Sequence, residues 1–269
     1  MPLTPRQTDR DDEKTEGIVF DLGGTLFIYG DMEEAWSDWL KKLHSSLILH
    51  GLKESIDVLA ARCDGFFSKP EPPRVEGLTV FERRIQALMA EAGLSIPNDK
   101  VGEIENSVLA AWWAHLSLDP EAPGVLRNLR SRYSLALVSN FDHPKHLYEI
   151  LDHHQLTQFF DAIVISGEVG VRKPDPKIMF LALDSLGLKA ESCTYVGDIE
   201  EDERCALSAG MRAITIDRRR AGDEPPVLDF RASTRQAGSH TQLAWEPQEK
   251  VETLSDLLVL LGRKTEVDS

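Results

Sequence analysis

The sequence is poor in cysteine and contains no long apolar run. Its three cysteines, Cys63, Cys193 and Cys205, include no C-x-x-C pair, which argues against a disulfide framework and fits reduced thiols. No stretch approaches the roughly 18 consecutive apolar residues that a membrane-spanning helix needs. The polar first residues contain no apolar segment of the signal-peptide type. We therefore expect a cytoplasmic protein with no membrane partner.

Positive charge is scarce relative to negative charge. The chain of 269 residues has 30 lysines and arginines against 45 aspartates and glutamates, a formal net charge of −15. Such a chain is repelled by phosphate backbones and by anionic lipid, so nucleic acid is not an expected partner. The short basic run 218–220 predicts a solvated corner. We expect a small-molecule partner, and a monomer or a homodimer.

Several motifs of known chemistry are absent. The sequence has no G-x-x-x-x-G-K-[ST] or G-x-G-x-x-G loop and no H-E-x-x-H. No cysteine is spaced to complete a zinc site with the histidine pairs at 143/146 and 153/154, for which we expect surface or N-cap roles. If the substrate is an anion, a metal or local cations must hold it against the negative charge of the whole chain.

Five short apolar runs are typical of buried strands in a parallel sheet. They are residues 17–21, 134–139, 162–166, 193–197 and 212–216. Helical patterns lie between them, such as 176–187, where apolar residues recur near the 3.6 period and Gly187 is placed to end the helix. This alternation predicts an α/β fold with a doubly wound, Rossmann-like sheet of five parallel strands.

Two segments interrupt the alternation. Residues 30–120 are predicted to be all-helical, with four helices and apolar residues at helical spacing. Residues 219–248 contain three prolines and little periodicity, so we expect a flexible insertion, followed by a short helix at 254–261. The predicted organisation is a disordered tail at 1–16, an α/β core at 17–29 and 121–269, and a helical cap at 30–120.

Polar residues follow four of these runs. The first run leads into Asp21-Leu22-Gly23-Gly24-Thr25, the second ends in Ser139-Asn140, Lys173 follows the third after a loop, and Asp198 and Asp202 follow the fourth. Ligands of open parallel sheets bind beyond the carboxyl ends of the strands. We therefore expect carboxylates, hydroxyls and an ammonium group to meet at one edge, an inventory suited to magnesium-assisted attack on phosphate.

These motifs, in this order, resemble those of the haloacid dehalogenase-like (HAD) hydrolases. The pattern is D-x-x-G-T, then S-N, K-P-D-P and G-D-x-x-x-D. The resemblance covers roughly 17–218 and the last helix, and the helical segment after the first strand is similar to the first type of cap in that superfamily. It implies a hydrolase, expected to be a magnesium-dependent phosphatase acting on a small organic phosphate.

The resemblance also implies roles for individual residues. Asp21 would be the nucleophile that forms an aspartyl-phosphate, and Lys173 would neutralise charge on the phosphoryl oxygens. Asp21, Asp198 and the backbone carbonyl of Gly23 would bind Mg²⁺. The phosphate would be bound by the hydroxyls of Thr25 and Ser139, by Asn140 and Lys173, and by the backbone N–H groups of Leu22 and Gly23. Asp202 would orient Lys173 or a metal-bound water.

One position departs from the family pattern. Most family phosphatases have a second Asp, a general acid–base group, where this chain has Gly23, and such a loss costs roughly 10²–10⁴-fold in rate. The protein could be a slow phosphatase or one limited to good leaving groups, a dehalogenase-type hydrolase, or a non-catalytic protein that binds phosphate esters. True 2-haloacid dehalogenases have a Tyr at this position and lack the Asp corresponding to Asp198. If a slow phosphatase is correct, Gly23→Asp should raise turnover of alkyl phosphates.

Overall fold

A computed structural model describes residues 15–218 and 245–262 of the chain. Its strands, in chain order, are β1 Gly17–Phe20, β2 Phe27–Tyr29, β3 Leu116–Leu118, β4 Ser134–Ser139, β5 Ala162–Ile165, β6 Cys193–Gly197, β7 Arg212–Ile216 and β8 Lys250–Val251. The five predicted strands correspond to β1, β4, β5, β6 and β7, each within one residue of its predicted bounds.

The α-helices of the described residues agree with the periodicity of the sequence. They are α1 Met32–Ile48, α2 Ile56–Arg62, α3 Val80–Glu91, α4 Asn98–Trp113, α5 Ala122–Arg130, α6 Pro144–His153, α7 Ser166–Val169, α8 Lys177–Leu186, α9 Glu200–Ser208 and α10 Leu254–Gly262. Helix α8 ends at Gly187 in the left-handed conformation, with φ of 68°. His143 caps the N-terminus of α6, because its Nδ1 accepts the backbone N–H of His146 at 2.9 Å.

The main sheet is parallel and has the strand order β5-β4-β1-β6-β7-β8. This confirms the doubly wound α/β fold, but the predicted number of five strands was wrong, because β8 adds a sixth. Strand β8 has two residues, too few to produce a recognisable alternation of apolar and polar positions. Its pairing with β7 depends on tertiary contacts and not on local pattern.

Apolar side chains cover both faces of the sheet. On β1, Ile18 and Phe20 belong to one hydrophobic cluster, while Val19 belongs to another on the opposite face. Strand β4 divides in the same way, with Leu137 in the first cluster and Val138 in the second. Successive side chains of a strand point to opposite faces, so apolar runs without alternation are what a sheet covered on both sides requires.

Helices α1 to α4 lie between β2 and β3, which pair with each other as a short antiparallel ribbon. The four helices share a separate cluster of buried apolar residues that includes Trp39, Leu43 and Ile85. The ribbon was not predicted, because two strands of three residues carry little periodicity. It places Tyr29 at the entrance to the helical segment and Leu116 at its exit.

Parts of two predicted segments lie outside the described residues. These are residues 1–14 of the predicted tail and residues 219–244 of the predicted insertion. Trp245, at the end of that insertion, is described, and its indole Nε1 donates a hydrogen bond to Glu203 Oε2 at 2.7 Å. Within 15–218 and 245–262, no helix combines the length and the apolar composition needed to cross a membrane.

Candidate active site

The carboxyl ends of three adjacent strands bring the predicted polar residues together. Strands β4, β1 and β6 are neighbours in the sheet, and Ser139, Asp21 and Asp198 lie at or directly after their ends. The backbone N–H of Asp21 donates to the carbonyl oxygen of Val196 at 2.8 Å, which continues the β1–β6 pairing up to the carboxylate. Parallel pairing therefore places these residues side by side, although they are far apart in sequence.

Lys173 joins two of the carboxylates. Its Nζ lies 2.6 Å from Asp21 Oδ1 and 2.6 Å from Asp202 Oδ1, and all three side chains are buried. The hydroxyl of Tyr195 lies 3.0 Å from Lys173 Nζ and 3.2 Å from Asp202 Oδ1. Burial lowers the pKa of Lys173, but the charges of Asp202 and Asp21 outweigh burial and raise that pKa well above its usual value. Lys173 is therefore a permanent cation beside Asp21.

Asn140 holds the backbone around Lys173. Its Oδ1 accepts the N–H of Lys173 at 2.8 Å, and its Nδ2 donates to the carbonyl of Lys173 at 3.0 Å and to Glu201 Oε1 at 3.1 Å. The side-chain amide of Asn140 is thus occupied in fixing the loop that presents the lysine. These bonds give Asn140 a positioning role, and the phosphate contact that the family resemblance implies for it stays a prediction.

Three carboxylates are close enough to share a cation. Asp21, Asp198 and Asp202 each offer one oxygen, and these oxygens lie within 4.8 Å of one another. Burial raises the pKa of Asp21 to about 6 despite the opposing charge of Lys173, and burial with the charges of Asp202 and Asp21 raises the pKa of Asp198 well above its usual range. Oxygen ligands of this kind suit Mg²⁺. The donor set therefore fits the predicted ion.

The glycine at position 24 is required by this close approach. Gly24 has a φ of 75°, in the left-handed region that residues with a side chain rarely adopt. A β-carbon at this position would overlap the carboxylate of Asp198. Gly24 thus lets the loop after β1 lie directly against the acidic residue after β6.

A cavity of about 400 Å³ opens beside these groups. Of the predicted site residues, it is lined by Asp21, Leu22, Gly23, Ser139, Asn140, Lys173 and Asp198. Thr25 and Asp202 are both buried and are not among the residues that line it. The Oγ1 atom of Thr25 is buried and has no hydrogen-bond partner in the described structure, an uncommon state that a phosphoryl oxygen could relieve.

Tyr29 occupies the space beside Gly23. A β-carbon built on Gly23 would lie 2.5 Å from the hydroxyl oxygen and 3.2 Å from Cζ of Tyr29. Burial, with the charges of Asp198 and Asp21, raises the pKa of Tyr29 well above its usual value, so the phenol keeps its proton. The sequence analysis missed this residue, because nothing in the local pattern shows that β2 returns to Gly23.

Arg218 is a second residue that the sequence analysis missed. Its guanidinium donates to the backbone carbonyls of Gly24 and Thr25, the latter at 2.8 Å, and forms an ion pair with Asp119 at 2.6 Å. The prediction of a solvated corner was therefore wrong for Arg218, whose side chain is only 24% exposed. Arg218 ties the loop after Asp21 to the loop before α5.

The chain belongs to the family of haloacid dehalogenase-like hydrolases. The model of that family matches residues 15–210. This range contains the candidate site from Asp21 to Asp202, together with the helices between β2 and β3.

Curated relatives match over shorter segments. The chain is 39% identical over 110 residues to a phosphoserine phosphatase of Thermus thermophilus, covering 40% of this chain and 44% of that protein. It is 45% identical over 78 residues to a glyceraldehyde 3-phosphate phosphatase of Methanopyrus kandleri, covering 29% of this chain and 32% of that protein. The chain therefore spans less than half the length of each of these two relatives.

Solved structures share the fold over nearly the whole chain. A HAD phosphatase from Thermococcus onnurineus superimposes with a TM-score of 0.63 at 20% identity, covering 92% of this chain and 98% of that one. A 2-haloacid dehalogenase from Pseudomonas syringae gives a TM-score of 0.61 at 19% identity, covering 93% of this chain and 99% of that one. At such identity the likeness concerns the fold and leaves the reaction open.

Proposed function

We propose that this chain is a magnesium-dependent phosphatase that hydrolyses a small organic phosphate through an aspartyl-phosphate on Asp21. The observation that carries the proposal is the group of three carboxylates, with oxygens within 4.8 Å of one another, and the Lys173 ammonium that contacts two of them beside a cavity. The names of the two curated relatives described above, both phosphatases, support the same reaction class.

In the proposed reaction, a carboxylate oxygen of Asp21 attacks phosphorus and the bond from phosphorus to the leaving oxygen breaks. Water then attacks the phosphorus of the aspartyl-phosphate, which returns Asp21 as a carboxylate and releases inorganic phosphate. Lys173 stays protonated and faces the charge that develops on the phosphoryl oxygens. The hydroxyls of Thr25 and Ser139 and the backbone N–H groups of Leu22 and Gly23 are proposed to bind those oxygens.

Two anions must meet in this step. Two unit charges 4 Å apart repel by about 4 kcal/mol even at an effective dielectric constant of 20. When bound, Mg²⁺ would offset this repulsion, and Asp21, Asp198 and the carbonyl of Gly23 are the proposed ligands. Asp202 already accepts from Lys173, Tyr195 and the backbone N–H of Asp198, so we assign it to orienting the lysine.

The helical segment is proposed to act as a cap. Residues of α1, α3 and α4 line the same cavity as Asp21 and Asp198. A cap at this place would exclude water from the phosphoryl group and contact the organic part of the substrate. We propose the boundaries 30–120 for the cap and 17–29 with 121–269 for the core.

Phosphate release from p-nitrophenyl phosphate tests the reaction. We expect release that requires Mg²⁺, is stopped by a chelator and is abolished in Asp21→Asn. The matched control is Asp184→Asn, the same change on the exposed face of α8, which should keep wild-type turnover. Tight binding of phosphate esters without any release by the wild type would show a non-catalytic binding protein and contradict the proposal.

A second candidate, dehalogenase-type hydrolysis, is favoured by one observation. The phenol of Tyr29 lies where a side chain at position 23 would lie, and 2-haloacid dehalogenases are expected to have a Tyr at that position. Halide leaves without a proton, so this reaction would need no acid. Metal-independent release of chloride from 2-chloropropionate, lost in Asp21→Asn, would support this candidate over the phosphatase.

A further inference from the structure

The residues that the helical segment contributes to the cavity lining are mainly aromatic. We call the following six residues the aromatic wall: Trp39, Phe66, Phe67, Phe81, Trp112 and Trp113. Phe67 is central in this set, with ring centroids 5.1 Å from Phe66, 5.8 Å from Phe81 and 6.5 Å from Trp112. Rings packed in this way hold one another in place, so the wall is preorganised for a flat apolar group.

The helical segment itself adds no charged side chain to the aromatic wall. Among the described residues from 29 to 116, none that lines the cavity is charged. The two arginines of α3 are engaged elsewhere, Arg84 with Asp142 at 2.7 Å and Arg83 with the carbonyl of Leu78 at 3.0 Å. Neither of them lines the cavity.

The charged side chains that line the core side of the cavity are mainly carboxylates. The cavity-lining carboxylates there are Asp21, Asp142, Asp198 and Glu201, and the cations are Arg172 and Lys173. Arg172 donates to the carbonyl of Phe67 at 3.3 Å and lies 4.0 Å from Asp142. The positive charges of Mg²⁺ and Lys173 would be balanced by the negative charges of the carboxylates and the phosphoryl group. A carboxylate on the organic part of the substrate would face these four carboxylates, with Arg172 as its one nearby cation in the lining, so an uncharged group costs less to bury there.

The surroundings of Gly23 favour a substrate whose leaving group needs no proton. The leaving oxygen has no carboxylic acid at position 23 to protonate it, and the phenol of Tyr29 fills that space. A phenol has a pKa near 10, as tyrosine does, far below that of an alkyl alcohol. A phenoxide therefore leaves with much less need of a proton than an alkoxide.

We propose that the substrate of this site is a phosphate monoester of an uncharged phenol or similar aromatic alcohol, whose ring lies against the aromatic wall. This inference rests on the proposed phosphatase function and narrows it. It sets this chain apart from relatives whose names specify substrates with a carboxylate, such as phosphoserine.

Binding of two phosphonates tests the aromatic wall without chemistry. Phenylphosphonate and methylphosphonate share the phosphoryl-like group and cannot be hydrolysed, and both can be titrated calorimetrically into the Mg²⁺-loaded protein. We expect phenylphosphonate to bind roughly tenfold to a hundredfold more tightly. Equal affinities would overturn the proposed substrate class.

Variants of the aromatic wall test whether these rings cause the preference for phenylphosphonate. Phe67→Ala and Trp112→Ala should each reduce the advantage of phenylphosphonate several-fold, while methylphosphonate binding stays constant and shows that the variants are folded. The matched control is Phe180→Ala, which removes a ring that is 43% exposed on α8 and outside the cavity. If both wall variants keep the full wild-type preference, the ring binds elsewhere and the inference fails.

Turnover separates this inference from the proposed function. Benzyl phosphate and glycerol phosphate both have alkyl leaving groups, so the ratio of their kcat/KM values measures recognition of the organic part of the substrate. We expect benzyl phosphate to have the higher kcat/KM by at least about tenfold. A preference for phosphoserine or glycerol phosphate, still dependent on Asp21, would overturn the substrate class and leave the phosphatase function standing. Preferred binding of phenylphosphonate with no turnover of any ester would refute the phosphatase function while supporting recognition of the ring.

Discussion

Gly23 and Tyr29 form a pair that only the folded chain reveals. A glycine after the nucleophile removes a carboxylic acid, and the phenol of Tyr29 then lies 2.5 Å from the position of the missing β-carbon. An aspartate at position 23 would have to displace this ring. Gly23→Asp alone therefore cannot place an acid there without moving the ring. A second substitution, at Tyr29, is needed to make room for the aspartate.

We expect Gly23→Asp with Tyr29→Phe to turn over glycerol phosphate faster than Tyr29→Phe alone. The reason is that removal of the hydroxyl leaves Cζ, at 3.2 Å, as the nearest ring atom to the new β-carbon. A positioned general acid typically raises the rate by roughly 10²–10⁴-fold. The gain from Gly23→Asp should be smaller in the wild-type background, where the ring must move. Steady-state kcat for the four proteins of this cycle measures the effect. A gain that does not depend on residue 29 would show that Tyr29 does not block the position.

At the scale of the elements, a buried ion pair and a buried side-chain contact fasten the helices to the sheet. Arg84 on α3 contacts Asp142 at 2.7 Å, and Glu105 on α4 lies 3.0 Å from His143 Nε2. Both core partners belong to the loop between β4 and α6, which also carries Asn140. The helical segment and the candidate site therefore share one loop, and the position of the helices is coupled to that of Asn140.

We expect Arg84→Met to lower the free energy of unfolding by about 3–5 kcal/mol, since it leaves Asp142 charged, buried and without its closest partner. The double variant Arg84→Met with Asp142→Leu should recover a large part of this loss, because it removes both charges. Urea denaturation measures both values.

An exposed pair supplies the control for this prediction. Lys100→Met removes the surface partner of Glu103 and should change the free energy of unfolding by less than about 1 kcal/mol. If Arg84→Met lowers the free energy of unfolding no more than Lys100→Met does, the buried pair does not hold the helices.

At the scale of the whole molecule, negative charge is concentrated where a dication would bind. The chain has a net charge of −15, and three of its carboxylates share one small region with a single ammonium group. In the metal-free protein, burial raises the pKa of Asp21 to about 6, above the ~3.9 of an unfolded chain. Ionisation of Asp21 therefore destabilises the folded state. This destabilisation is absent below about pH 4, grows as the pH rises, and is complete above about pH 6.

We expect Mg²⁺ to raise the Tm more at about pH 7.5 than at about pH 5. At the lower pH, protons compete for Asp21 and Asp198, whereas at the higher pH the ion offsets their repulsion. Differential scanning calorimetry with and without Mg²⁺ measures the shifts. Asp198→Asn should lose most of the shift and Asp184→Asn should keep it. Equal shifts at both pH values would mean that these carboxylates do not bind the ion.

Local pattern was sufficient for much of the architecture. The runs at 134–139, 193–197 and 212–216 coincide with β4, β6 and β7, because an apolar run bounded by turn residues is itself the signature of a buried strand. The meeting of Asp21, Lys173 and Asp198 was also predictable, since the carboxyl ends of parallel strands lie at one edge.

The sequence by itself therefore determined the parallel sheet, the helical segment between its first two main-sheet strands and the edge at which the polar residues meet. Only the tertiary structure decided that Tyr29 fills the space beside Gly23, that Arg218 holds the loop after Asp21 and that the cavity has an aromatic wall. Periodicity and strand ends are properties of neighbouring residues. These contacts join residues that are close only after the chain has folded, such as Arg218 and Thr25, which are 193 positions apart.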